Sequence, residues 1–483
     1  MNIALVTRFL GVILLVEAAS MTPSLIIALF HHQDGDVPAL LMTLGLILAV
    51  GLPMFFLSRP KDRNLRARDG FIVVALSWIL MSVFGALPFT LSGFLPNYVD
   101  ALFEAVSGFT TTGATVVTDF SHMPHGIVFW RSFTHWVGGM GVLVLTLALL
   151  PKLSDRTSHL VRAESPGPSL SKIVPKMGDS AKILYIMYTV LTVIEFCILM
   201  LCGMNPYDAA IHAMGTAGTG GFSNYGDSIA HFQSVPIEIT MTVFMILFGI
   251  NFAIYYFMYN RSWHDIRNNE ELRWYLSIVG IVILLLTVLL IPYYGSFTSA
   301  LRYSAFQTAS VISTSGFATC NFDLWPVSAR MLLLLVMFIG SCAGSTAGGM
   351  KVIRVALMIK EAKREIRRTI QPRKVQMVRF DGKGIDESML HSIAVFVFAY
   401  VALVLAGAVV IALENRYDLI TNFTAALTCV SNVGPGFGAV GPAGNFAEYG
   451  PLAKLVCSFL MLAGRLELYP LLILFHPVVW KKN

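Results

Sequence analysis

The stretch 108-GFTTTGATVV-117 lies between two hydrophobic runs, yet three consecutive threonines and Gly113 suit neither a helix interior nor a paired strand. Counterparts recur along the chain: "DALFEAVSGFTTTGAT" from Asp100, "DAAIHAMGTAGTGGFS" from Asp208, "SAFQTASVISTSGFAT" from Ser304 and "ITNFTAALTCVSNVGPGF" from Ile420. Each is a short apolar helix-like segment, then glycine beside Thr, Ser or Asn, then a polar spacer and a further apolar run. One such piece alone reads as a turn at a membrane interface. Four at matching places define a repeated unit of span, short helix, glycine-containing turn and span, set after an initial helical pair.

The surroundings of these pieces fix the class. Of the 483 residues, 56% are hydrophobic and 13% charged, which excludes an ordinary water-soluble globule. Ten apolar runs, from "ALVTRFLGVILLVEAASMTPSLIIALF" to "LAKLVCSFLMLAGRLELYPLLILF", approach the ~20 residues that ~30 Å of hydrocarbon requires. An all-α polytopic membrane protein is expected. The first run is longer than a signal-peptide core and leads straight into further spans, so it reads as a retained helix.

Basic residues crowd alternate connections: "SRPKDRNLRARD", "PKLSDRTSHLVRAESPGPSLSKIVPK", "NRSWHDIRNNEELRW" and the stretch from Lys351 to Lys383. The intervening connections are acidic, interrupted only by Arg302 and Arg416. The positive-inside rule then places the basic loops and both termini in the cytoplasm. A net charge of +6 has no folded soluble domain to present to nucleic acid, so no nucleic-acid partner is expected. The six cysteines are scattered, with neither CxxC nor zinc-ligand spacing.

Physics narrows what the repeated unit can be. Its short helices cannot cross a bilayer, and an extended segment returning from one leaves backbone carbonyls that are tolerated only beside a water-filled cavity. Four such segments around an axis would turn those carbonyls toward a common centre, the construction of a cation filter in which carbonyl oxygens replace the ion's water. Glycine permits the necessary torsions, and Thr or Ser hydroxyls add oxygen or brace the turn.

The pieces "TTTGAT", "GGFS", "TSGFAT" and "NVGPG", the loop "RAESPGP", the segment "GSCAGSTAGGMKVIR" and "GRLE" together resemble the superfamily of TrkH, KtrB and HKT potassium transporters, essentially end to end. The resemblance implies four channel-like helix–pore helix–filter–helix repeats around a pseudo-fourfold pore, preceded by two extra helices. It gives two N-terminal helices over 1–68 and repeats over 69–152, 153–262, 263–384 and 385–483. Carried across by position, the filter is Thr111, Thr112 and Gly113; Thr219, Gly220 and Gly221; Thr314, Ser315 and Gly316; and Asn432, Val433 and Gly434. In the second repeat Gly220 and Gly221 both fit the glycine position. None matches the TVGYG of potassium channels, so incomplete discrimination against Na⁺ and passage of Rb⁺ are expected.

The segment "GSCAGSTAGGMK", Gly340 to Lys351, interrupts an apolar run with small and polar residues and is expected to unwind within the membrane; tight helix packing through small residues is the alternative. The resemblance implies an intramembrane loop that blocks the pore, with Gly344, Gly348 and Gly349 supplying flexibility and Ser345, Thr346 and Ala347 completing it. Arg465, deep in the last run, is expected to face the pore beneath the filter and hold this loop, because a guanidinium in hydrocarbon seeks a cavity or a partner. Lys351 either assists it or snorkels to the cytoplasm. Glu104 is expected to favour a pore-helix N-terminus and the negative potential of an outer vestibule.

The remaining patterns carry no chemistry. "GFGAVG", Gly436 to Gly441, matches GxGxxG without a βαβ unit, and "GSTAGGMK" departs from a P-loop at Met350. His122, His125 and His135 show no carboxylate or nucleophile arrangement, so an enzyme is not expected. The resemblance implies potassium uptake across the bacterial cytoplasmic membrane by a homodimer, K⁺ held at the filter only, and no cofactor on this chain. It also implies control by a cytosolic TrkA-type subunit that carries the nucleotide. An H⁺- or Na⁺-coupled symporter on the same fold is the alternative.

Overall fold

The computed structural model of the chain describes residues 2–31, 35–58, 67–141, 177–373 and 376–477. The "RAESPGP" loop, most of the first two basic connections, the boundary at 152/153 and the C-terminal lysines lie outside the described residues.

Helices α1 (Ile3–Phe30) and α2 (Val37–Leu57) form an antiparallel pair. They approach closely because Gly11 and Gly51 face the partner; a Cβ on Gly11 would lie 2.8 Å from the Phe55 nitrogen. One order of elements then occurs four times. It runs α3 (Ala67–Gly85), α4 (Tyr98–Phe109), α5 (His125–Gly139); α6 (Met177–Leu201), α7 (Pro206–Gly218), α8 (Val235–Phe248) with α9 (Phe252–Tyr259). It continues with α10 (Glu270–Tyr294), α11 (Phe297–Ile312), α12 (Val327–Ile339), α13 (Val352–Ile370), a two-residue hairpin β1 (Arg379–Phe380) and β2 (Lys383–Gly384), and closes with α14 (Glu387–Ala412), α15 (Leu419–Ser431) and α16 (Pro451–Arg465). The short helices begin at polar caps: Asn97, Asn205 and Asp418 accept hydrogen bonds from Val99, Asp208 and Thr421 N–H groups.

One of the ten apolar runs continues through residues 142–150, which lie outside the described residues. Among the described residues, six helices are long and apolar enough to cross a membrane, or seven if the pair α8–α9, bent by 91°, is one span. Near their C-terminal ends, α5 and α16 each pack against a short helix through a glycine. A Cβ on Gly138 would fall 1.9 Å from Phe109 O, and one on Gly464 2.0 Å from Val430 O. At these points α5 meets the end of α4 and α16 the end of α15, and any side chain there would force them apart. Apolar run length alone cannot reveal such a close approach.

Candidate functional site

The four short helices end alike. Thr111, Thr219, Thr314 and Asn432 adopt left-handed torsions with φ of 55°, 56°, 58° and 55°, and two residues later Gly113, Gly221, Gly316 and Gly434 have φ of 81°, 75°, 78° and 99°. The N–H between them turns back into its own helix: Thr112 to Ser107 O at 2.9 Å, Gly220 to Gly215 O at 2.8 Å, Ser315 to Ser310 O at 2.9 Å and Val433 to Thr428 O at 3.0 Å. This is the Schellman-type closure of a helix C-terminus. It also sets the second segment at Thr219-Gly220-Gly221, with Gly221 in the register of Gly113.

The segments close on one another. A Cβ on Gly113 would lie 2.0 Å from Gly220 O, on Gly221 1.8 Å from Ser315 O, on Gly316 2.3 Å from Val433 O and on Gly434 2.7 Å from Thr112 O. First meets second, second third, third fourth and fourth first, so four carbonyl-bearing strands form a ring. One cavity of ≈ 180 Å³ is lined by all four of these glycines together with polar residues such as Thr115, Thr118 and Ser223. Asn432 Nδ2 further ties the fourth strand to the first, donating to Thr112 Oγ1 at 2.9 Å.

Each strand is also braced by its own short helix. Glu104 accepts from Thr115 Oγ1 at 2.9 Å and from Val116 N–H at 3.0 Å. His212 meets Ser223 Oγ at 3.1 Å, Gln307 donates to Thr319 Oγ1 at 3.4 Å, and Phe437 N–H donates to Thr424 Oγ1 at 3.0 Å. Glu104 is therefore not a vestibule charge at a helix start. It is wholly buried and paired with Arg131, whose Nε donates at 2.6 Å. The guanidinium also lies 3.4 Å from the Phe222 ring centroid and donates to Ser223 O at 2.9 Å. A second buried cation, Lys454 on α16, donates to Asp100 at 2.6 Å. Sequence reasoning missed Arg131 and Lys454. The available signal was a charge inside an apolar run, which normally marks a buried partner.

Below the ring, on the side away from the cavity, residues 340–351 leave the helical path between α12 and α13. The chain rejoins close to where it left: Lys351 N–H donates to Ile339 O at 2.9 Å and Val352 N–H to Ser341 O at 2.9 Å. The excursion touches the second, third and fourth units. Gly348 N–H donates to Thr314 Oγ1 at 2.7 Å, and a Cβ on Gly348 would lie 2.3 Å from Ser431 O. Thr346 Oγ1 reaches Phe248 O at 3.3 Å, and Gly344 O accepts from Phe252 N–H at 3.0 Å. Ser345 folds back on Cys342 O at 2.6 Å, and Gly349 packs on the Gly340 backbone.

Arg465 binds the loop and the first unit together. It donates to Thr346 O at 2.7 Å, Gly138 O at 2.5 Å and Gly139 O at 2.6 Å. Glu467 instead accepts from Arg354 at 2.5 Å, as the mismatch of helix faces requires. Lys351 does not snorkel. It is 2% exposed and its ammonium donates to Ala347 O within the loop. The loop has a further anchor outside the sequence-predicted set: Glu271, at the start of α10, accepts from Ala343 N–H at 2.6 Å. Its neighbour Glu270 accepts from Lys360 and from Asp381 N–H in the β1–β2 hairpin.

One histidine departs from expectation. His122 Nδ1 lies 2.8 Å from Asp119 and 2.9 Å from Ser121 Oγ. Both contacts use the same ring nitrogen, whereas a catalytic triad needs the hydroxyl on the other one. This is an exposed polar turn, in which the Ser121 hydroxyl and then His122 hold the Asp119 carboxyl down at about 2.

A ring of carbonyl-bearing strands over a buried loop, inside a multi-span helical frame, is the construction of an ion-translocating membrane protein. The chain belongs to the TrkH family of cation transport proteins, whose model matches residues 40–482. It is 34% identical to the Trk system potassium uptake protein TrkH of Escherichia coli K12 over all of both chains, and 32% identical to TrkG of the same strain over 99% of each. The crystal structure of the potassium transporter TrkH from Vibrio parahaemolyticus superposes with a TM-score of 0.88 at 32% identity, covering all of both chains.

Proposed function

We propose that this chain takes up potassium across the bacterial cytoplasmic membrane, through a filter formed by the four strands and a gate formed by residues 344–349 with Lys351 and Arg465. The observation that carries the reading is the closed ring in which each strand's glycine lies against the next strand's carbonyl. Such a ring offers dehydrating cations oxygen from four sides. With one constrained glycine per strand it offers fewer rigid ion sites than a potassium-channel filter, so Na⁺ is rejected incompletely. Ions enter through the cavity above the ring, lose water among the carbonyls and pass inward when the loop leaves its seat.

The family relationship supports a homodimer with cytoplasmic termini and a TrkA-type regulatory subunit on the cytoplasmic face. There α13 exposes Lys363, Arg367 and Arg368. Proton-coupled symport is a second reading, favoured by Glu17 and Glu195, two carboxyl groups wholly buried in the helical frame. Uptake of ⁸⁶Rb⁺ into proteoliposomes, with and without a pH gradient, separates the two: gradient-independent flux supports the channel-like pathway, and strict dependence on the gradient overturns it.

A further inference from the structure

The second strand breaks the pattern of the other three. At the middle position the first, third and fourth strands carry Thr112, Ser315 and Val433, whereas the second carries Gly220. Torsion does not require this glycine, because Gly220 is not among the residues of positive φ. Space does. A Cβ on Gly220 would lie 2.4 Å from Cγ and Nδ1 of His135 and 2.5 Å from its Cδ2. The imidazole occupies the place that a filter side chain fills elsewhere.

His135 comes from α5, in the first unit, and is wholly buried. Its Nδ1 lies 2.8 Å from Gly108 O in the last turn of α4. A carbonyl only accepts, so Nδ1 carries the proton and the ring is fixed by that bond. The ring face packs on Phe222, with centroids 4.0 Å apart, just beyond the second strand's glycine. A Cβ on Gly218 would lie 2.3 Å from His135 O. One side chain thus touches the end of the first short helix and the back of the second strand.

We propose that His135 is a specificity-determining positioning residue: it substitutes for the missing side chain of Gly220 and sets the position of the second filter strand against the first. It touches no ion and acts through the strand, so its effect appears in selectivity. The proposal rests on the filter reading above.

The test is a cycle of His135→Ala, Gly220→Ser and the double variant, measured as K⁺ and Na⁺ flux in proteoliposomes. His135→Ala is expected to keep K⁺ flux but lower K⁺/Na⁺ discrimination by about tenfold, the equivalent of a typical packing defect. Gly220→Ser is expected to reduce K⁺ flux by about tenfold or more through overpacking against the ring. Combining them should restore flux toward the parent, since the serine then takes the vacated space as Ser315 does. His135→Asn, which keeps a donor for Gly108 O without the ring bulk, separates the hydrogen bond from the volume and should resemble His135→Ala in selectivity.

An unchanged K⁺/Na⁺ ratio in His135→Ala, or a double variant no better than Gly220→Ser alone, overturns the proposal. If a single variant fails to assemble, the selectivity of His135→Asn decides by the same criterion. Gly113→Ser run in parallel distinguishes the two levels: if it too leaves selectivity unchanged, the filter reading falls, and if it alone changes selectivity, only the role of His135 does.

Discussion

Replacing Arg465 by alanine tests how the loop is held. Among the described residues its guanidinium donates to three backbone carbonyls, of which Thr346 O belongs to the loop. A hydrogen bond from a charged donor contributes about 1.5–3 kcal/mol. Losing it shifts the balance between seated and unseated loop by about 10- to 100-fold. Removing a positive charge from beneath the ring also lowers the barrier to cations, an effect of the same sign. Basal ⁸⁶Rb⁺ uptake should therefore rise, by about tenfold where the seated state dominates. Arg465→Lys keeps the charge but cannot serve three carbonyls in a fixed fork, so it should fall between the parent and alanine. The assay is uptake into proteoliposomes at matched protein content, with thermal melting to confirm assembly. Normal assembly with unchanged or reduced uptake in Arg465→Ala would refute the account of the loop as a seated block.

Three further outcomes are expected. Deleting Thr346–Gly349 removes the segment that reaches Thr314 and Arg465, and should raise basal flux without a partner present; electrophysiology or tracer uptake checks this. Gly113→Ser puts a Cβ 2.0 Å from Gly220 O on a residue of positive φ, so K⁺/Na⁺ selectivity should fall while membrane insertion persists, read in a two-ion flux assay. Glu104→Gln removes the charge paired with buried Arg131 and should lower stability by about 3–5 kcal/mol, visible as a drop in melting temperature; a variant as stable as the parent would contradict the buried pairing.

Much of the site is local, and local pattern is what a sequence displays. The end of each short helix, with a left-handed residue and a positive-φ glycine two positions on, follows from Thr, Ser or Asn beside Gly. The loop at 340–351 was legible for the same reason: small residues at that density do not sustain an apolar helix. Arg465 announced itself by the cost of charge in hydrocarbon. Glu104 was misjudged because its partner Arg131 lies on another helix, and nothing along the chain joins them. The close approaches of α5 to α4 at Gly138 and of α16 to α15 at Gly464 were hidden for the same reason, since each joins segments that the chain keeps apart.

The sequence by itself determined the class, the fourfold recurrence and the identity of the strand-turning residues, because these depend on hydropathy and on torsions that single residues permit. Only the tertiary structure decided which carbonyl lies against which glycine, that the second strand takes the register Thr219-Gly220-Gly221, and that His135 stands behind it. Those are contacts between distant segments, set by steric exclusion at 2–3 Å, and no spacing along the chain encodes them.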